Sequence, residues 1–338
     1  MEDLNPAPAD NSYAGFCAMM TGYRQLAVVM AAVDCGIIDV LSHSPCTLER
    51  LLETAGMKAA EGERFVRLLV SSGLLQERDG LFHLSPFSAT YLRRESEFCQ
   101  RGVVEFERQL QRRWEGLGGQ LQAGQGSVVE EHAPHEYHRR LGLFHRAMHE
   151  AAVVRSAELW DAVGTLPATG FIIDAGAGDG TYLRSFLGRH PEWRALACDL
   201  GDVFSAMTEP GGDVAVSLCP CNLLDPGERR EFVGRYRGTA DLLLLSNFIH
   251  CYSRDEVAAM LADLAELVAR DGRLVIHDFF TDGNRFGALY DLHMLVNTYN
   301  GRTYTFAETD EVLAVSGFSV CRTLALPSFS HALVARRE

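Results

Sequence analysis

Residues 171–180, FIIDAGAGDG, constrain this chain more than any other segment. A short apolar run ends at Asp174, and glycines follow at positions 176, 178 and 180. This pattern predicts a buried strand that turns sharply into a helix. Because glycine has no Cβ, such a turn can adopt unusual backbone angles and lets a ligand approach the main chain closely.

A second acid, Asp199, ends the next strand-like segment at residues 194–200. In nucleotide-binding α/β folds, an acid about 20 residues beyond the glycine-rich turn holds the ribose hydroxyls. Together the two features predict a nucleoside cofactor at the carboxyl edge of a parallel sheet.

The spacing of the glycines discriminates between nucleoside cofactors. A dinucleotide site requires G-x-G-x-x-G, whereas here Thr181 occupies the third position and Gly180 comes one residue early. A carboxylate at Asp179 would repel a pyrophosphate but would tolerate a sulfonium cation. S-adenosylmethionine is therefore the expected cofactor. A nicotinamide or flavin site, or a turn without any ligand, are the alternatives.

Composition and charge limit the partners. The net charge of −14, without a long basic run, argues against nucleic acid as the main partner. No apolar run approaches the ~20 residues of a membrane span, and residues 1–12 lack the pattern of a secretory signal. Nine scattered cysteines are typical of reduced thiols in a cytoplasmic protein. We expect no metal site, even at the close pair Cys219 and Cys221.

The length of 338 residues allows two domains of about 150 residues each. Residues 1–100 contain helical patterns followed by a hairpin at Asp79-Gly80, the order of a winged helix. Residues 60–72 offer only Arg64 and Arg67 against nearby acids, so dimerisation is a better prediction for this domain than DNA binding. Residues 101–165 are predicted to be linking helices that contribute to a substrate pocket, and residues 166–338 to bind the cofactor.

Strands and helices alternate from residue 168 onward, which predicts a doubly wound, Rossmann-like α/β domain. The strand candidates are residues 171–174, 194–199, 214–218, 241–247 and 273–279, with a final pair near 317–323 and 330–336. Ligands of such folds bind outside the carboxyl ends of the strands. Polar residues gather at that edge: Asp174, Asp199, Asn222, Ser246, Asn247 and Asp278.

His250 follows the strand candidate at 241–247 and is the best candidate for a general base. An imidazole with a pKa near 6.5 can take up a proton around neutrality. Asp278 ends the next strand, where its carboxylate can fix the tautomer of that imidazole. A purely structural histidine, and a helix-capping or solvated carboxylate, are the alternatives.

With these motifs, nearly the whole chain resembles the S-adenosylmethionine-dependent O-methyltransferases of the plant caffeate, hydroxyindole and bacterial small-molecule type. Residues 35–41 are similar to the LGIFDVL segment of that family, and residues 72–75 and 84–86 to its wing region. Residues 291–295 resemble the helix that lines the acceptor pocket, and residues 301–305 resemble the GGxERT turn.

The resemblance implies a role for each matched position. His250 falls on the catalytic histidine, and Asp278 on the acid that supports it. The expected cofactor contacts are Asp174, Gly176, Gly178, Asp199, Leu200, Asn222, Leu223 and Ser246. The expected acceptor contacts are Met148, Phe279, Tyr290, His293, Met294 and Asn297.

Several positions depart from the family pattern. Cys251 and Tyr252 follow the histidine where the family has Asp-Trp, and Thr303 replaces an acid. Ser246 replaces a frequent Lys or Arg near the cofactor. The histidine therefore has fewer acidic partners than is usual in the family.

The sequence thus predicts a homodimeric enzyme that methylates a hydroxyl of a small aromatic or heteroaromatic acceptor, with His250 as base and without a metal. A C- or N-methyltransferase on the same scaffold is the first alternative. A non-catalytic winged-helix protein that binds DNA under control of the cofactor is the second.

Overall fold

Two groups of residues form separate compact units in the computed structural model, which describes residues 12–123, 134–206 and 216–337. Residues 12–112 and 134–151 form the N-terminal unit, and residues 113–123, 152–206 and 216–337 form the catalytic unit. The boundaries predicted after residues 100 and 165 stay a prediction, and residues 1–11 lie outside the described part.

The N-terminal unit is mostly helical. Its elements are α1 (Tyr13–Asp34), α2 (Ile37–His43), α3 (Leu48–Thr54), α4 (Ala59–Ser71), β1 (Leu75–Arg78), β2 (Leu81–Leu84), α5 (Pro86–Tyr91) and the start of α6 (Arg101–Glu115). The predicted hairpin is present, and both Asp79 and Gly80 adopt positive φ angles, as a two-residue turn between right-twisted strands requires. Thr47 caps α3, as its position before that helix predicts.

Helix α1 has an exposed apolar stripe, which we define as Tyr13, Phe16, Met20 and Tyr23; each of these side chains is at least 50% exposed. By length and composition α1 is long and apolar enough to cross a membrane, which the sequence reading did not expect. Core helices of soluble proteins and signal sequences share this length and composition.

Helix α7 (Leu117–Ala123) belongs to the catalytic unit, and α8 (Pro134–Val163) contributes residues to both units. The strands that follow are β3 (Gly170–Ala175), β4 (Trp193–Asp199), β5 (Val216–Pro220), β6 (Ala240–Ser246), β7 (Val268–Asp278), β8 (Phe318–Ala325) and β9 (His331–Arg337). They form one sheet in the order β5-β4-β3-β6-β7-β9-β8. The first five strands in this order are parallel, and β9 runs antiparallel to β7 and β8.

The helices of the catalytic unit alternate with these strands, which confirms the doubly wound α/β fold. They are α9 (Thr181–Arg189), α10 (Gly201–Ala206), α11 (Pro226–Tyr236), α12 (Arg254–Leu264), α13 (Arg285–Asn297) and α14 (Phe306–Val315). The strand predicted at 214–218 lies at 216–220, and residues 214–215 are outside the described part.

Both faces of the sheet are buried, and the side chains alternate between two cores. Ile172 and Leu242 pack in one apolar cluster, whereas their neighbours Ile173 and Leu243 pack in the other. A parallel sheet covered on both faces leaves the carboxyl ends of its strands as the place for polar side chains.

Candidate active site

The glycine-rich turn connects β3 to α9. Gly176, Gly178 and Gly180 all have positive φ angles, of 84°, 55° and 76°. A Cβ built on Gly176 would lie 2.1 Å from the Phe248 ring, so the turn has no room for a side chain there. The Gly176 N–H donates to the carbonyl of Cys198 at 2.8 Å, which ties the turn to β4.

Asp199, at the end of β4, fixes the same turn from the other side. Its Oδ2 accepts a hydrogen bond from the Gly178 N–H at 2.7 Å, and its Oδ1 accepts from the Leu200 N–H at 2.7 Å. The Cys221 N–H donates to the Asp199 carbonyl at 2.8 Å. The carboxylate predicted to hold a ribose is thus held rigidly beside the predicted cofactor turn, and Leu200 after it is 46% exposed.

Asp174 and Asn247 lie at the carboxyl ends of the adjacent strands β3 and β6. Asp174 is fully buried, and neither of its carboxylate oxygens has a hydrogen-bond partner among the residues that the structure describes. Asn247 has a φ of 48°, unusual for a residue with a side chain. Its Nδ2 donates to the Tyr182 hydroxyl oxygen at 2.8 Å, while its Oδ1 has no partner within the described part of the chain.

Buried oxygens without partners are rare in folded proteins, because each loses its hydrogen bonds to water. Burial, and then the charges of Asp199 and Asp179, raise the pKa of Asp174 well above its usual range. An ammonium group would supply donors to such oxygens and would favour the charged carboxylate. The turn therefore fits an amino-acid cofactor such as S-adenosylmethionine, whose ammonium and sulfonium groups are cationic.

The remaining predicted cofactor contacts lie at the same edge of the sheet but differ in accessibility. The Asn222 Oδ1 accepts from the Leu224 N–H at 3.1 Å, which shapes the loop after β5. Leu223 is 4% exposed and packs in a core cluster. Ser246 is the buried last residue of β6.

His250 and Asp278 meet as the sequence predicts. His250 lies in a short 3-10 helix, Ile249–Cys251, just after β6, and Asp278 ends β7. The imidazole Nδ1 is 2.5 Å from Asp278 Oδ1, and this oxygen also accepts from the Phe279 N–H at 2.8 Å. The Nε2 atom makes no hydrogen bond to the residues that the structure describes, so it is the nitrogen available to a substrate.

The surroundings of His250 act on its pKa in opposite directions. Burial lowers the pKa, but the negative charge of Asp278, with smaller effects of Cys251 and Tyr290, raises it well above the usual value. A higher pKa makes the imidazole a stronger base, although the neutral form then exists only at higher pH.

Four rings extend from this pair as one aromatic wall, which we define as Phe279, Phe286, Tyr290 and His293. The Tyr290 ring centroid is 5.2 Å from that of His250, 4.3 Å from that of Phe279 and 5.0 Å from that of His293. Phe286 lies 5.3 Å from Phe279. Such a wall can pack against a planar aromatic acceptor.

The other predicted acceptor contacts are partly engaged elsewhere. Met294 is 4% exposed on α13, and the Asn297 Oδ1 accepts from Arg113 at 3.2 Å. Met148 is 36% exposed and belongs to the N-terminal unit.

The loop at 301–305 is anchored to the base. The Arg302 N–H donates to the His250 carbonyl at 2.9 Å, and a Cβ on Gly301 would lie 2.7 Å from that oxygen. Thr303, at the position of the family's acid, is buried, and its N–H donates to Asp291 Oδ1 at 2.8 Å.

Sequence reasoning missed three residues of this site. Tyr182 and Arg155 lie on helices and belong to no motif, and Phe286 is separated from the predicted contact Tyr290 by one helical turn. Only the i, i+4 spacing of Phe286 and Tyr290 could have indicated the third of them. No three His, Cys, Asp or Glu side chains in the described ranges are grouped so that they could hold a metal ion.

Two family models match the chain. The O-methyltransferase dimerisation domain matches residues 17–94, and the O-methyltransferase domain matches residues 123–319, more than half of the chain. The chain belongs to the O-methyltransferase family. The enzyme is S-adenosylmethionine-dependent, as that family is.

Similar proteins span nearly the full length of this methyltransferase. The O-methyltransferase SfmM3 of Streptomyces lavendulae is 25% identical, covering 93% of this chain and 98% of its own. The phenazine-1-carboxylate N-methyltransferase of Pseudomonas aeruginosa is 26% identical over 100% of both chains. Human N-acetylserotonin methyltransferase, solved in complex with SAM, superposes with a TM-score of 0.81 at 19% identity, covering 97% of this chain and 98% of that one.

Gly176→Ala should weaken cofactor binding about tenfold or more, because the methyl group would enter the Phe248 ring and strain a left-handed backbone. Calorimetric titration with S-adenosylhomocysteine measures the change. Gly188→Ala on α9, where nothing lies within 4 Å of the new Cβ, is the control. Equal dissociation constants for the two variants would contradict the assignment of the turn.

Asp278→Asn should shift the pH dependence of kcat/KM to lower pH. In the wild type, kcat/KM should rise through a midpoint above 6.5, since only neutral His250 accepts a proton and its pKa is raised. Loss of the carboxylate charge should lower that midpoint by about one unit or more and reduce the plateau. The same midpoint in both enzymes, measured with one acceptor, would refute the coupling.

Proposed function

We propose that this methyltransferase transfers a methyl group to the hydroxyl oxygen of a small aromatic or heteroaromatic acceptor, with His250 as general base and Asp278 as its positioning residue. The contact that carries the proposal is the 2.5 Å pair of His250 Nδ1 and Asp278 Oδ1, which leaves Nε2 available to a substrate. The aromatic wall supports the acceptor class.

When bound, S-adenosylmethionine supplies an electrophilic methyl group. Gly176, Gly178 and Asp199 would shape the nucleoside side of its site, with Leu200, Asn222 and Leu223 beside them. The oxygens of Asp174 and Asn247 would accept hydrogen bonds from the ammonium group. Ser246, the last residue of β6, directly precedes Asn247.

The role of His250 is to take the hydroxyl proton at Nε2. Asp278 holds the other nitrogen as N–H and stabilises the imidazolium that forms. For a phenol of pKa near 10 and an ordinary imidazole near 6.5, complete prior transfer costs about 5 kcal/mol. The raised pKa of His250 narrows this gap, which favours proton removal during the attack.

We propose a homodimer that forms through the N-terminal unit. The support is the match to the dimerisation domain and the apolar stripe of α1, whose four large side chains are exposed in the single chain. Burial of such a stripe against a second copy would remove it from water. We propose neither nucleic acid nor a membrane as a partner. Arg67 on α4, one of the two arginines of residues 60–72, forms an ion pair with Glu63 at 2.7 Å. A cytoplasmic location stays a prediction.

A nitrogen acceptor is the second candidate function. The Pseudomonas aeruginosa relative, an N-methyltransferase, is 26% identical to this chain, and the O-methyltransferase SfmM3 is 25% identical. A neutral amine attacks without prior loss of a proton, so it would depend less on the base.

His250→Ala should lower turnover of a phenolic acceptor by about 10²–10⁴-fold while the affinity for S-adenosylhomocysteine is retained. Steady-state kinetics and calorimetry measure the two quantities. His43→Ala, an exposed histidine of the N-terminal unit, is the control.

The same pair of variants distinguishes the two functions. With an arylamine acceptor, His250→Ala should reduce turnover much less than with a phenol. Near-normal turnover of the phenol in His250→Ala would refute the base, and efficient turnover of amines alone would favour N-methylation.

Phe16→Glu should convert the dimer into a monomer, because it places a charge in the apolar stripe. Sedimentation velocity measures the change. Val315→Glu changes an 88% exposed residue of the catalytic unit and should leave the sedimentation coefficient of the dimer unchanged. A dimer that persists in Phe16→Glu would place the interface elsewhere.

A further inference from the structure

The Arg155 guanidinium carries a positive charge that has no role in the methyl transfer proposed above. It lies on the part of α8 that belongs to the catalytic unit, with its central carbon 4.9 Å from the centroid of the Phe279 ring. It makes no hydrogen bond or ion pair to the residues that the structure describes, and it is only partly exposed. Its five N–H donors are therefore available to a ligand.

The Phe279 ring connects this charge to the catalytic histidine. Phe279 packs against Tyr290 at 4.3 Å, and Tyr290 packs against His250 at 5.2 Å. The guanidinium thus contacts one ring of the aromatic wall, Phe279, and the His250 imidazole contacts the neighbouring ring, Tyr290.

Neighbouring groups respond to the positive charge. Burial first, and then the charges of His250, Arg113 and Arg155, lower the pKa of His293 to about 4. Burial and Arg155 also lower the pKa of His277 to about 3. Neutral His293 and His277 leave Arg155 as a fixed cation on this side of the site, in a chain whose net charge is −14.

We propose that Arg155 binds a carboxylate of the acceptor, so that the preferred substrates are hydroxylated aromatic acids. This inference rests on the proposed function and specifies its substrate class. A guanidinium binds a carboxylate through two parallel hydrogen bonds, which would orient a planar acid along the wall with its hydroxyl toward His250.

S-adenosylmethionine also carries a carboxylate, and the same chemistry could serve it. The contact of Arg155 with Phe279 of the aromatic wall favours the acceptor. Its charge also acts on Tyr182, whose hydroxyl accepts a hydrogen bond from Asn247 beside the glycine-rich turn. The test therefore measures the two carboxylates separately.

The experiment uses the full-length enzyme saturated with S-adenosylhomocysteine, and a hydroxynaphthoic acid with its methyl ester as probes. Calorimetry should show that the wild type binds the acid at least about tenfold more tightly than the ester. Arg155→Met should abolish this preference, and Arg155→Lys should retain part of it. Binding of S-adenosylhomocysteine itself should change less than about twofold in both variants.

Arg194→Met is the matched control, since the Arg194 guanidinium also lies 4.9 Å from a phenylalanine ring, that of Phe171, but on an exposed part of β4. It should keep the wild-type preference. Equal binding of acid and ester by the wild type would overturn the inference. So would an Arg155→Met variant that loses affinity for S-adenosylhomocysteine and keeps the preference.

Turnover separates this inference from the proposed function. If neither probe is methylated while Arg155→Met still loses the preference in binding, the carboxylate site stands and the proposed function is contradicted. If both probes are methylated equally well by the wild type and by Arg155→Met, the proposed function stands and the inference is overturned.

Discussion

The buried pair of His250 and Asp278 is the interaction on which the rest of the site depends. Asp278 is fully buried and His250 is 5% exposed, so neither group can rely on water to stabilise its charge. A buried carboxylate is costly unless it is paired, and loss of one partner leaves the other stranded. Other elements are anchored to the same pair, because the His250 carbonyl accepts from Arg302 and the Asp278 carboxylate accepts from Phe279.

Charged groups of opposite sign are separated at the candidate site of the catalytic unit. Within residues 12–123, 134–206 and 216–337, acceptor oxygens without partners lie at the glycine-rich turn, and a guanidinium without a hydrogen-bond partner lies on the aromatic wall. The first region suits a cationic amino-acid cofactor, and the second suits an anion. Because the whole chain is acidic, the positive potential of the second region must come from nearby cations. Arg155 and Arg113 are two of them, and the charges of both lower the pKa of His293.

Much of this arrangement could be predicted from the sequence, because strong patterns specify it. β3, β4 and β6 lie within one residue of their predicted bounds, since each is a short, mostly apolar run that ends beside a polar residue or a glycine. The contact of His250 with Asp278 followed from the rule that parallel strands end at one edge of the sheet.

The rest depends on packing, which periodicity does not encode. β7 begins five residues before its predicted start, because irregular pairing with β6 extends the strand. Arg155 and Tyr182 reach the site from helices. The sequence pattern of a helix does not distinguish a polar or aromatic residue at the site from one elsewhere on its surface. Whether a buried oxygen, such as those of Asp174, finds a donor is settled only by its three-dimensional neighbours.

The Phe248 ring links the cofactor turn to the peptide that carries His250. It packs against Gly176 of the cofactor turn and stands two residues before His250, so one short peptide borders both halves of the reaction centre. A change in the backbone of the cofactor turn or of this peptide would therefore move the other through the Phe248 ring. A side chain added at position 176 would therefore displace the peptide from Asn247 to His250, and with it the imidazole.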